Sequence, residues 1–202
     1  MSENNECKQL EVLSRRDFFK VAAGATAAVA VASVALPGIG GIEKAFAAPA
    51  ALAPGTYTVT ANIYADKSVT PIGQNAYITN PGNPPGKKPT TPVSNNATLE
   101  VKANGDKFLT VPIVNNTFGV TSFGTSSNPN APISSSQMGT WSVPFGGIPG
   151  PSQRVTSVTF NVTNFTGTNL TATITPCAEY VTFILYYGYK NWDLHLVADL
   201  TV

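Results

Sequence analysis

From residue 55 onward, apolar and polar residues alternate along most of this chain. Tyr57, Val59, Ala61 and Ile63 alternate with Thr58, Thr60 and Asn62. Ala97, Leu99 and Val101 alternate with Thr98, Glu100 and Lys102, and the pattern resumes at Leu109, Val111 and Ile113. Val158, Phe160 and Val162 continue it, as do Leu170, Ala172 and Ile174. A period of two with one apolar side predicts half-buried β-strands. Asn104-Gly105 followed by Asp106 predicts a tight hairpin between the second and third of these segments. Tyr180 to Tyr189 is apolar or aromatic at nearly every position. A strand apolar on both sides faces the core on one side and a ligand, a partner or a second layer on the other. After it, Trp192, Leu194, Leu196, Ala198 and Leu200 alternate with Asp193, His195 and Asp199.

Two stretches break the alternation. Asn80 to Ser94 carries five prolines and the pair Lys87-Lys88, and reads as a flexible excursion. Ser122 to Pro151, rich in Ser, Gly and Pro, reads as a second loop, with a short strand at Gly139-Thr140-Trp141-Ser142-Val143. About eight strands at this spacing predict an all-β fold, a β-sandwich.

The N-terminal stretch follows another logic. Ser14-Arg15-Arg16-Asp17-Phe18-Phe19-Lys20 precedes an alanine-rich apolar run from Val21 to Leu36, and Ala45-Phe46-Ala47 offers a small-x-small cleavage site. Paired arginines before such a run are a receptor-read twin-arginine (Tat) export address. We therefore expect residues 1–47 to be a Tat signal peptide and residues 48–202 to be the working domain. The competing reading is an uncleaved anchor, but the 16 residues from Val21 to Leu36 fall short of the ~20 that span a bilayer. The Tat route carries proteins already folded in the cytoplasm. The expected destination is secretion or the cell envelope, with no membrane span in the mature chain.

Composition narrows the function classes. From Ala48 onward there are seven basic and six acidic residues. This is no basic patch for nucleic acid and no polybasic membrane footprint. Cys7 lies in the signal, so Cys177 stands alone in the mature chain and no disulfide forms within it. His195 is the one histidine, on a predicted strand. There is no Gly-x-Ser-x-Gly elbow, no His-Glu-x-x-His and no Walker loop. One His, one mature Cys and scattered carboxylates make a poor zinc set. The expectation is a protein that is not an enzyme.

Three segments, in order, resemble the NEAT domain, an immunoglobulin-like β-sandwich of bacterial surfaces that in many members binds haem. The first is Pro54-Gly55-Thr56-Tyr57-Thr58-Val59 with Gln74-Asn75-Ala76-Tyr77, similar to the family's opening strand and the short lip helix that ends in tyrosine. The second runs from Ala97 through Gly105 to Val111, similar to its central hairpin. The third, Tyr189-Lys190-Asn191-Trp192-Asp193-Leu194, is similar to the Tyr-x-x-x-Tyr segment of its last strand.

The resemblance implies an immunoglobulin-like sandwich with one lip helix and a haem cofactor. Tyr189 would be the axial ligand to iron. Asp193 stands where the family has its second tyrosine, and period-two geometry puts positions 189 and 193 on one side of the strand. Tyr77 is the matching lip tyrosine. The family's lip serine falls at Ile72, so a propionate contact would come from Gln74, Asn75 or Thr70 instead. His195 shares the side of Tyr189 and either lines the pocket or is solvated.

Two functions follow as expectations. One is a secreted haem-binding protein for iron acquisition, exchanging haem with haemoproteins or other envelope carriers. The other is a haem-free module that binds a host or cell-envelope protein through exposed aromatics.

Overall fold

The first strand, β1 (Gly55–Ala65), organises the architecture because its two halves serve two different neighbours. Gly55–Val59 pairs with β3 (Ala97–Val101), whereas Thr60–Ala65 pairs with β10 (Gly188–Asp199). In the computed structural model, residues 51–70, 73–81, 90–115, 118–141, 152–181 and 188–202 are described. Residues 1–48 and 49–202 fall into separate units. The remaining strands are β2 (Ala76–Tyr77), β4 (Lys107–Pro112), β5 (Phe118–Ser122), β6 (Thr125–Ser126), β7 (Ile133–Thr140), β8 (Gln153–Asn161) and β9 (Asn169–Val181). They hydrogen-bond in the order β5-β9-β10-β1-β3-β4-β8-β7, with β2 on β1 and β6 on β9. Every pairing is antiparallel.

The fold is all-β, as the alternation predicts, and among the described residues there is no helix. The sheet curls until β5, at one end of the order, packs against β8 near the other. Its two halves thus form two layers around one core. Ile63, Ile174, Leu194 and Leu196 come from the β9–β10 half, and Leu99, Leu109, Val158 and Phe160 from the β3–β4–β8 half. All are essentially fully buried, each such side chain contributing about 1.5–3 kcal/mol. Several of the outward positions between them are threonines. Thr110 and Thr159, opposite each other on β4 and β8, share a hydrogen bond of 3.0 Å.

The β3–β4 hairpin turns where expected. Gly105 adopts φ +90°, a conformation that favours glycine, and the Lys102 amide donates to the Asp106 carbonyl at 2.8 Å. Three expectations need correction. The lip helix at Gln74–Tyr77 is instead a bend running into the two-residue strand β2, because the amides and carbonyls there pair with β1: Tyr77 with Tyr64, and Ala76 with Ala65. The stretch read as a second loop contains β6 and β7. The short strand placed at Gly139–Val143 is the end of β7, which stops at Thr140; Ser142 and Val143 lie outside the described residues.

Candidate functional site

The outward side chains of the second half of β1 are Thr60, Asn62 and Tyr64, alternating with the buried Ala61, Ile63 and Ala65. Tyr64 sits opposite His195 of β10 on one edge and Tyr77 of β2 on the other. The outer surface therefore carries a row of three rings, Tyr77–Tyr64–His195. The Tyr64 and Tyr77 centroids lie 5.1 Å apart at 43°, and those of Tyr64 and His195 5.4 Å apart at 32°. Thr173 of β9 is the register partner of His195 and extends the row.

The turn that delivers Tyr77 is held by its own polar groups. The Asp66 carboxylate accepts from the Ser68 amide at 2.9 Å, and the Thr70 amide donates to the Asp66 carbonyl at 3.2 Å. The Thr70 hydroxyl donates to the Gln74 carbonyl at 2.5 Å, and Asn75 Oδ1 accepts from the Lys67 amide at 2.9 Å. Gly73 takes φ +65° to reverse the chain. Beyond β2, the buried Asn62 clamps this segment to the end of the proline-rich stretch. Its Nδ2 donates to the Val93 carbonyl at 2.8 Å, while its Oδ1 accepts from the Val93 amide and the Thr79 hydroxyl.

The electrostatics follow from this layout. Hydrogen bonds from Ser68, with help from His195 and Lys67, hold the Asp66 carboxyl below its ordinary value. Burial first, then Tyr77 and Asp66, push the Tyr64 phenol above its own.

The structure brings Tyr77 and His195 together, although 118 positions separate them in the chain. Both are half-buried. Asp193 is exposed on β10, two positions before His195, where the register passes from Trp192–Cys177 to Leu194–Ile174. Thr175 and Pro176 thus oppose Asp193 alone, and Pro176 has no amide to offer. Gln74 is exposed at the bend. Thr70 is buried and its hydroxyl is engaged within the turn. Tyr189 is placed by its backbone opposite Tyr180; its side chain lies outside what is described, as do Phe183, Tyr186 and Tyr187. Trp192 packs partly buried against the core. Sequence reasoning missed Tyr64, the centre of the row. Its signal was an aromatic at an outward position of an alternating strand.

Among the described residues, no group of three or more His, Cys, Asp or Glu side chains could hold a metal ion. No helix among them is long and apolar enough to cross a membrane. Cys177 is fully buried, and its thiol donates to the Ser122 carbonyl at 2.9 Å. It is inert structure rather than a nucleophile.

Comparison with known proteins bears on the N-terminal region. The family described as "Ubiquitinol-cytochrome C reductase Fe-S subunit TAT signal" matches residues 8–40. The chain thus carries a Tat signal region, which points to Tat-dependent export to the envelope or beyond. No curated protein and no solved structure matches the chain.

Proposed function

We propose that the exported β-domain is a non-enzymatic haem-binding protein of the NEAT kind, which holds its ligand on the outer surface of β2, β1 and β10 and passes it to other haem carriers. The observation that carries this reading is the Tyr77–Tyr64–His195 row on the strand neighbours that also bear Tyr189 and Asp193. These residues fit a porphyrin in two respects. Adjacent ring faces offer a planar aromatic ligand a stacking wall. Two donor types accepted by ferric iron, a phenol and an imidazole, stand on the same strand. Bound haem would supply a ferric centre able to take either donor.

In this reading Tyr189 would hold the iron through its phenol oxygen, and Asp193 would orient that phenol. Tyr64 and Tyr77 would support the ring, and the exposed Gln74 would serve a propionate. Burial of apolar porphyrin surface supplies most of the affinity.

The competing reading is a protein-binding surface. It is favoured by the exposure of Gln74 and Asp193, which leaves the row accessible from the side. Titration of the exported protein with haemin separates the two. A saturable Soret band, with a tyrosinate charge-transfer band lost in Tyr189→Phe, is the expected result. A haem spectrum unchanged in Tyr189→Phe but lost in His195→Ala moves the ligand to His195. No saturable spectrum overturns the haem reading and leaves the protein-binding one.

A further inference from the structure

The curled sheet has two end strands, and they are treated differently. At one end, β5 packs against β8 and is covered at Gly119 by the Trp141 indole. At the other end stands β7, which pairs only with β8 among the described residues. Ser134, Ser135, Ser136, Gln137 and Met138 are all exposed, so both surfaces of this strand are uncovered as well as its outer edge. Met138 is 48% exposed, although it stands opposite the fully buried Val155.

An open edge presents a row of amides and carbonyls to any strand that arrives. Natural edges block this with charge or proline, and Ile133–Thr140 contains neither. The protection present is a pair of irregularities in the β8 register, between Ile133 and Ser135 and between Gln137 and Met138. Between them Ser135, Ser136 and Gln137 run regularly opposite Thr159, Val158 and Ser157.

We propose that β7 is a self-association edge, at which two copies of this chain pair antiparallel about a two-fold axis through Ser136. The occupant follows from what the strand lacks. A foreign peptide added to a sheet edge is selected by pockets for its alternate side chains. The serines on both sides of β7 form no such pocket, so backbone complementarity is what remains, and an identical strand meets it. The two-fold arrangement sets Ser135 opposite Gln137 of the second copy and Ser136 opposite itself. No like charges meet, and the small hydroxyls let the backbones approach. The contact is a single short ladder, well below the ~1,600 Å² of a standard interface. The association is therefore weak and depends on concentration.

Sedimentation of the exported protein over a concentration series tests this. The weight-average mass should rise toward about two-fold the monomer value. Ser135→Lys/Gln137→Lys sets like charges across the axis and should hold the protein monomeric, with its thermal unfolding unchanged because both positions are exposed. Ser135→Lys/Gln137→Glu sets opposite charges across the same axis and should associate at least as well as wild type. A monomer at every concentration overturns the proposal. Association of the double-lysine variant equal to that of wild type also overturns it.

Discussion

The indole of Trp141 lies directly over the bare Cα of Gly119, and a Cβ built there would meet its Cη2 at 2.7 Å. Gly119 belongs to β5 and Trp141 follows β7, so this contact joins the two ends of the curled sheet. The Trp141 amide also donates to the Ser152 carbonyl at 2.7 Å, which fixes where the ring enters. Trp141 is only 6% exposed and has little room to retreat. Gly119→Ala should therefore cost about 1–3 kcal/mol through overpacking. Urea unfolding checks this. Adding Trp141→Phe should recover part of the loss, as contacting residues couple by about 0.5–3 kcal/mol.

Asn62 is the second test of the framework. Its amide serves the Val93 carbonyl, the Val93 amide and the Thr79 hydroxyl from a position 3% exposed. Asn62→Ala leaves these groups unmet, at about 1–3 kcal/mol for each that water does not reach. The expected signature is a lower unfolding midpoint with faster hydrogen exchange at the Val93 amide. Unchanged exchange there would show that the segment is held by other contacts.

Tyr64 gives a pH test. Its phenol is held above the ordinary value of 10.0, so the folded state favours the neutral form. The associated stability is complete below the unfolded value and is lost as pH rises through the folded one. The window lies above pH 10.0. Alkaline titration followed by phenolate absorbance should show a late-ionising tyrosine that disappears in Tyr64→Phe.

Cys177 gives a chemical test. Burial, then the Glu179 charge, push its thiol far above the ordinary value of 9.0. Alkylating reagents need the thiolate and access, and the folded protein grants neither. Iodoacetamide at about pH 8 should leave Cys177 unmodified until denaturant is added. Rapid labelling of the native protein would refute its burial.

Strands with one apolar side were legible because burial repeats every second residue. The inward positions Val59, Ala61, Ile63, Leu99, Leu109, Phe160, Leu170 and Ile174 are all buried. β7 was not legible, since a strand exposed on both surfaces shows no alternation and is held by its ladder to β8. β2 was not legible either. Two residues carry no period, and their conformation is set by pairing with Tyr64 and Ala65. The same holds for the candidate site. Tyr77 and His195 could be singled out by type, but Tyr64 became significant only through the register that places it between them.

The pairing of β1 with β10 joins segments far apart in the chain, with Thr60 opposite Asp199. During synthesis, the second half of β1 must wait for more than 120 further residues to leave the ribosome before β10 exists. Closing so distant a contact is slow, and until then an edge of β1 remains open to wrong partners. A transporter that threads chains across the membrane as they emerge would separate the two strands on opposite sides. One that accepts only finished proteins would let the cytoplasm, with its chaperones, host the whole wait, and the Tat signal region at residues 8–40 points to export of that kind.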